Sequence, residues 1–383
     1  MTWLHCFCDE GDEGWAKHWD DHPAHEDWDV IKDLGAGSFS KVVLCRHKRE
    51  KIYAALKVVF LDSPGLDGET NAMLSAEGKL LLSLDHPNIV KCSEILESPK
   101  ALVFVLEYLG GCNILDGIYH LRNGYSERDA AGIFKQLAMA VEYLHSCSIL
   151  HRDIKPENLV YQKRPEKRNS EKGGKAPVVK LVDLGLAVQI SENVHEKGVL
   201  GSAGFVAPEI VKGHDHTPAM DVFGMGVLLF VMMVGRKPWD VEQCEKLRYT
   251  KMNLADAPGF KDPRWLDLSP DAKHLIVGML QFDPKKRFTA KQVLHHEWVT
   301  SMGGLTVRIL GENVALGAAT VAEMRRLKFL CHGVVALNKA TSKKTTKKDR
   351  EELARMTQDV YLKRVALTQR LVNHVFWDRK RCM

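Results

Sequence analysis

From Trp28 onward, short apolar runs recur at close spacing: 30–31, 42–44 and 53–59, each set off by polar or turn-forming residues. Runs of that length predict successive strands joined by turns. Residues 69–84 place apolar side chains at helical spacing and predict a helix, after which strands are predicted over 89–96 and 102–106. The outcome is a small lobe of five strands and one helix. Past Gly110 and Gly111 the apolar period lengthens to that of helices, predicted over 127–146, 218–234, 270–281 and 290–298, with a further strand over 178–182. The longest apolar run, 225–234, falls well short of the roughly 20 residues that cross a bilayer and is expected in the core of a larger helical lobe.

The flanks break these periods. Residues 1–27 mix tryptophans with acids (Asp9, Glu10, Asp12, Glu13, Asp20, Asp21, Glu26 and Asp27) against Lys17, and are expected to be a poorly ordered or loosely docked extension. Residues 163–176 are rich in charge and contain glycine, as exposed loops do. Beyond 299 a polar stretch leads to an apolar-basic helix candidate at 320–338, a lysine-rich break and a second helix candidate at 349–376. The net charge of +5 is modest and gives no case for a nucleic-acid partner. Nine cysteines follow no repeating spacing, so free thiols in a reducing compartment are expected. The first residues carry no secretory pattern. The expected location is cytoplasmic, with the nucleus also open to the protein, and no membrane is an expected partner.

Candidate chemistry concentrates in one loop. His151-Arg152-Asp153-Ile154-Lys155-Pro156-Glu157-Asn158 sets a carboxylate, an ammonium and an amide at fixed offsets. Phosphoryl transfer needs such a set: a group to orient a hydroxyl, a cation to neutralise the moving phosphate, and an oxygen ligand for magnesium. Asp183-Leu184-Gly185 offers a second metal-binding carboxylate. Upstream, the glycines of Gly35-Ala36-Gly37-Ser38-Phe39-Ser40 would let backbone N–H groups approach phosphate oxygens. Alone that stretch reads equally well as a hairpin turn, and Lys57 as a lysine reaching the surface past an apolar run. Their spacing from one another and from the loop at 151–158 is what favours the chemical reading.

Together these strings resemble the signature set of eukaryotic protein kinases of the Ser/Thr type. The resemblance implies an α+β, bilobal fold. A small five-stranded β lobe with a helix termed C would span 28–108 and a large, mainly helical lobe 109–299, followed by a C-terminal helical extension at 300–383. It also implies ATP and Mg2+ as cofactors. Leu34, Gly35, Ala36, Gly37, Ser38, Phe39 and Ser40 would lie over ATP, with Ser40 where the family has its third glycine. Val42, Ala55 and Val160 would enclose the adenine, Leu106 would back the pocket, and Glu107 and Leu109 would offer backbone groups to its edge. Lys57 would hold the α- and β-phosphates, paired with Glu77 on helix C. Asp153 would orient the acceptor hydroxyl, Lys155 would steady the γ-phosphate, and Asn158 and Asp183 would bind magnesium. Glu209 and Arg287 would form a buried pair, Asp221 would brace the catalytic loop, and Leu184 stands where phenylalanine is usual. Ser202, within Gly201-Ser202-Ala203-Gly204-Phe205-Val206-Ala207-Pro208-Glu209, would bridge Asp153 and Lys155, which implies protein substrates with Ser/Thr acceptors.

His86-Pro87-Asn88-Ile89-Val90, Glu157-Asn158-Leu159-Val160 and the run from Phe282 to Ala290 are similar to the calcium/calmodulin-dependent group. Basic residues upstream of the acceptor are expected from that group, read here by Glu157 with Asp116 in partial place of the acid missing at Cys112-Asn113. An autoregulatory helix and a calmodulin site follow the catalytic domain in that group. At 320–339, Val321, Met324, Leu327, Leu330, Val334 and Leu337 share one side, across from Arg325, Arg326 and Lys328, which is the form of a calmodulin target. A helix that packs on the large lobe without calmodulin has the same pattern. Between Asp183 and Gly201 the sole hydroxyl is Ser191, so Glu192 or Glu196 is the expected partner of Arg152. A pseudokinase-like scaffold is the alternative class, and retention of Lys57, Asp153, Asn158 and Asp183 speaks against it. A small-molecule or lipid kinase would share the ATP site, and Ala207-Pro208-Glu209 speaks for a protein substrate instead.

Overall fold

Two-residue alternation turns the first apolar runs into a sheet. The computed structural model describes residues 19, 22–36, 40–61, 78, 80–120, 125–164, 176–190, 196–240, 243 and 253–301. Within them β1 (Trp28–Ala36), β2 (Ser40–His47), β3 (Tyr53–Phe60), β4 (Cys92–Glu97) and β5 (Ala101–Glu107) form one antiparallel sheet in the order β1-β2-β3-β5-β4. On β3, Ala54, Leu56 and Val58 join a core with Val43, Cys45, Val103 and Val105, while Ala55, Lys57 and Val59 alternate to the opposite face. One strand thus seals a core and presents a charged side chain. The strand expected at 89–96 begins later, at Cys92, because Ile89 makes an isolated parallel bridge to Leu181 of the second lobe. Of the helix expected at 69–84, residues 80–83 are helical with Leu81 and Leu84 buried, and 69–77 lie outside the described residues.

Of the segment 1–27, expected to be a poorly ordered or loosely docked extension, residues 19 and 22–27 pack against the small lobe, and 1–18, 20 and 21 lie outside the described residues. Ala24–Asp27 form a short helix, α1, and Trp19, Ala24 and Trp28 are buried in the core that backs β3. His22 is buried too, accepts a hydrogen bond at Nδ1 from the Ala24 N–H (3.0 Å), and burial holds its pKa below the ordinary value. Lys48 donates to the carbonyls of His25 (2.6 Å) and Asp27 (2.7 Å), through its ammonium and its backbone N–H respectively. Indole burial, worth a few kcal/mol per ring, outweighs the acidic character of the surrounding residues.

The second lobe comprises α2 (Ile114–His120), α3 (Glu127–Ser146), α4 (Pro208–Val211), α5 (Pro218–Val234), α6 (Pro263–Leu266), α7 (Pro270–Met279), α8 (Ala290–Leu294) and α9 (Glu297–Thr300). Short strands β6 (Ile149–Leu150) and β9 (Val188–Gln189) pair, as do β7 (Leu159–Tyr161) and β8 (Val179–Leu181). Ser126 caps α3 by accepting from the Asp129 N–H (3.1 Å), and Gly235, at φ 79°, ends α5 by donating to Val231 O (2.9 Å). Helix α5 is buried from Met220 to Val234 and forms the lobe's axis. The single helix expected at 290–298 is two, because His296 leaves helical geometry and caps α9 with its own ring nitrogen. Glu127, buried at the start of α3, accepts from the Ser269 N–H (2.8 Å), the Ser269 hydroxyl (2.6 Å) and the Trp298 indole (2.9 Å). That carboxylate fastens α7 and α9 to α3. Among the described residues no helix is long and apolar enough to cross a membrane.

Candidate active site

The strand register sets the upper wall. Lys57 lies opposite Val42 on β2 and Phe104 on β5, and Ala55 lies opposite Leu106. The β1–β2 hairpin is held across its width by the Lys41–Asp33 ion pair at 3.2 Å. Leu34 and Gly35 are exposed at its edge, Val42 is half-buried, and Ser40 opens β2. Gly37, Ser38, Phe39 and the side chain of Ala36 lie outside the described residues, as does Glu77. Lys57 Nζ donates to Asp183 Oδ1 at 3.2 Å and stands 5.9 Å from the Phe104 ring centroid.

Past β5 the chain is tied to the second lobe. Glu107 donates its N–H to Lys91 O (2.9 Å), and its carboxylate accepts from the Lys91 N–H (2.8 Å) and from Lys180 Nζ (2.6 Å). Leu109 follows, then Gly110, whose N–H donates to Gln162 O at 2.9 Å. A Cβ on Gly111 would stand 2.4 Å from Tyr161 O, so only glycine lets this segment pass over β7 beside Val160. Asn113 caps α2, accepting from the Asp116 N–H and donating to the Asp116 carboxylate, both at 2.8 Å. One oxygen of Asp116 is thus engaged by the cap.

The lower wall is built outward from Asp221 in the first turn of α5. Its carboxylate accepts from the backbone N–H groups of His151 (2.9 Å) and Arg152 (2.8 Å) and from His145 Nε2 (2.9 Å). Burial alone would push that carboxyl up, but the donors from His145 and His151 outweigh it and hold its pKa below the ordinary value. Arg152 can then keep a left-handed backbone, φ 66°, which non-glycine residues rarely adopt. Asp153 follows, with Lys155 Nζ donating to its Oδ2, the Ser202 N–H to its Oδ1 (3.0 Å) and Asn158 Nδ2 to both its Oδ2 (3.3 Å) and its main-chain oxygen (2.9 Å). Lys155 Nζ also donates to Ser202 Oγ at 2.9 Å. Gly201, at φ 104°, permits this approach, since a Cβ there would stand 2.9 Å from Arg152 O.

Asp183 is brought alongside by the Val182 N–H, which donates to Asn158 O at 2.8 Å. Its own backbone is left-handed, φ 60°, and its side chain is half exposed at 51%. Desolvation raises its pKa, but Lys57, then His151 and Lys155, outweigh it and hold the group ionised below the ordinary aspartate value. With Asn158 Nδ2 bound to Asp153, the Asn158 Oδ1 is the amide atom left to serve as a ligand. An amide oxygen beside an ionised carboxylate is the donor set a hard divalent cation takes, so the residues fit magnesium.

Two further layers position the loop at 201–209. The Trp239 indole donates to Gly204 O (2.9 Å), and Lys237 Nζ donates to Ala203 O (2.8 Å) while lying 4.7 Å from the Phe205 ring centroid. Glu209 and Arg287 form a buried two-point pair at 2.5 and 2.8 Å, and Arg287 also donates to the carbonyls of Ala219 and Gln281. Leu184 is buried in the main core. Arg152 Nη1 donates to Glu196 Oε2 at 3.1 Å, whereas Ser191 and Glu192 lie outside the described residues. Sequence reasoning did not reach His145, Lys180 or Glu127, whose partners are remote in the chain and follow no local pattern.

Residues 28–299 match the family described as Protein kinase domain. The chain belongs to the protein kinase family. Among similar proteins, the rat calcium/calmodulin-dependent protein kinase type IV is 36% identical over 278 residues, covering 73% of this chain and 55% of that protein. The Caenorhabditis briggsae calcium/calmodulin-dependent protein kinase type II is 32% identical over 275 residues, covering 72% and 49% respectively. A probable myosin light chain kinase of Dictyostelium discoideum is 32% identical over 278 residues, covering 71% and 83%. The chain thus spans about half the length of the calcium/calmodulin-dependent relatives it matches.

Proposed function

We propose that this kinase transfers the γ-phosphate of ATP to serine or threonine hydroxyls of protein substrates. One observation carries the reading: Ser202 bridges Lys155 and Asp153, joining the substrate-docking loop to the two groups that would act on the acceptor. In this reading Asp153, with Oδ1 on Ser202 and Oδ2 on Lys155, orients the acceptor hydroxyl and receives its proton. Lys155 balances charge on the phosphoryl group in flight, and Lys57 holds the remaining phosphates from β3. Asn158 and Asp183 are the residues that would hold Mg2+, which when bound neutralises charge on the β- and γ-phosphates. Val42, Ala55, Leu106 and Val160 line the adenine side, and the main chain of Glu107 and Leu109 its edge. The setting we propose is cytoplasmic, with the nucleus as a second location; the free thiols of Cys45 and Cys92 suit a reducing compartment.

Transfer of radiolabelled phosphate from ATP to basic Ser/Thr peptides, with Asp153→Asn as the control, tests this. Transfer by wild type and its loss in the variant are expected, and an inert wild type would leave the scaffold class standing. We also propose that 320–339 is an autoregulatory segment and a calmodulin target. Its apolar side with Arg325, Arg326 and Lys328 across from it, and the names of the rat and worm relatives, support that reading. A synthetic 320–339 peptide should bind calmodulin at micromolar concentration with calcium and not with a chelator. Leu327→Glu with Leu330→Glu should abolish that binding.

A further inference from the structure

His216 lies in the turn between α4 and α5, outside every motif singled out in the sequence, and it touches both halves of the machinery. Its backbone N–H donates to Glu196 O at 2.9 Å. Its ring Nε2 stands 2.9 Å from Gly198 O, and its Nδ1 stands 3.3 Å from Arg152 Nη1. A carbonyl can only accept and a guanidinium can only donate, so the two contacts assign the ring: Nε2 carries the proton and Nδ1 the lone pair. The residue is 5% exposed, so water does not substitute freely for either partner. Arg152 completes the tie from the other side, with Nη1 on Glu196 Oε2 (3.1 Å) and Nε on Leu186 O (2.5 Å). A continuous path therefore runs from the loop that carries Asp153, through Arg152 and His216, to the segment that leads into Gly201 and Ser202.

We propose that His216 is a positioning residue whose uncharged imidazole latches the activation segment to the catalytic loop, and that a second proton on the ring releases the latch. The idea rests on the phosphotransfer reading above and adds its regulation by acid. Protonating Nδ1 sets N–H against N–H and cation against cation at Arg152. The charged groups around the ring come from three elements: Arg152 from the catalytic loop, Glu196 and Lys197 from the activation segment, and His214 and Asp215 from the ring's own turn. Lys197 and Asp215 pair with each other at 3.4 Å. Glu196 favours an imidazolium, but its carboxylate is already bound to Arg152, so a charged His216 competes for that anion and weakens the tie it would have to join. Acid should then slow transfer through the position of Ser202 and Asp153, not through loss of ATP.

The test uses the full chain as wild type, His216→Gln and His216→Ala, assayed from about pH 8 to about pH 5. Glutamine keeps one accepting oxygen and donating N–H groups, and never takes a charge. On acidification the wild-type kcat should fall about tenfold further than that of His216→Gln, the worth of one hydrogen bond to a charged group, with the KM for ATP moving equally in both. His216→Ala should be slow throughout and lack the extra acid limb. In parallel, 15N spectra of labelled histidine should show the Nε2–H tautomer of His216 at the alkaline end. An Nδ1–H tautomer, a flat wild-type profile, or the same acid limb in His216→Gln would each overturn the proposal. The tautomer is read without phosphotransfer. A chain that transfers nothing at any pH yet shows the expected ring state would remove the kinase reading and leave the latch in place.

Discussion

Asp183 is a carboxylate kept charged by its neighbours, and removing it should reveal chemistry rather than folding. Asp183→Ala should lower kcat by about 10²–10³-fold, the usual loss for one electrostatic stabiliser, while thermal unfolding stays close to wild type because the side chain is half exposed. Radiolabel transfer and calorimetry on the same preparation separate the two. Arg287 is the opposite case. Arg287→Ala would leave Glu209 buried without its cation and should destabilise the large lobe by about 3–5 kcal/mol, read as a lower denaturant midpoint. Acid should act through Asp221. Its folded pKa lies below the 3.8 of the free side chain, so its contribution is present above that value and lost as pH falls through the lower folded one. The denaturant midpoint should therefore decline in acid, and decline less in Asp221→Asn, which is already weaker at neutral pH.

At the scale of elements, Trp19 is the informative side chain. Trp19→Ala should cost about 3 kcal/mol in the small lobe and speed hydrogen exchange along β5, which shares its core, while amides of α5 stay protected. The docking of this segment was hidden in the sequence because it depends on a tertiary surface, the outer face of β3, and not on any period of its own. Where a period runs long, the sequence was enough: α3 and α5 begin and end where apolar spacing places them, and the structure closes them with Ser126 at the start of α3 and Gly235 at the end of α5. The break between α8 and α9 escaped notice because a histidine rarely advertises itself as a helix cap. The contacts among Asp153, Lys155, Asn158 and Ser202 were legible through the resemblance to protein kinases, and three of the four sit within one short loop. Lys180 beside Glu107, His145 behind Asp221 and His216 against Arg152 were not, because each meets its partner only after the lobes are built.

For the molecule as a whole, the chain ending at Thr300 should be more active than the full chain if the region beyond is inhibitory, and calcium-loaded calmodulin should then raise the full chain alone toward the shorter one. Equal rates for the two would rule inhibition out. The anchor of Trp298 on Glu127 bears on how strong such inhibition must be. It fixes the point from which the following residues depart, and if those residues inhibit they would act as a tethered ligand whose effective concentration depends on linker length and not on how much protein a cell contains. For a short flexible tether that concentration is on the order of millimolar. A contact too weak to detect between separate molecules would suffice to hold the kinase silent in cis, and a competitor of only moderate affinity would suffice to lift it.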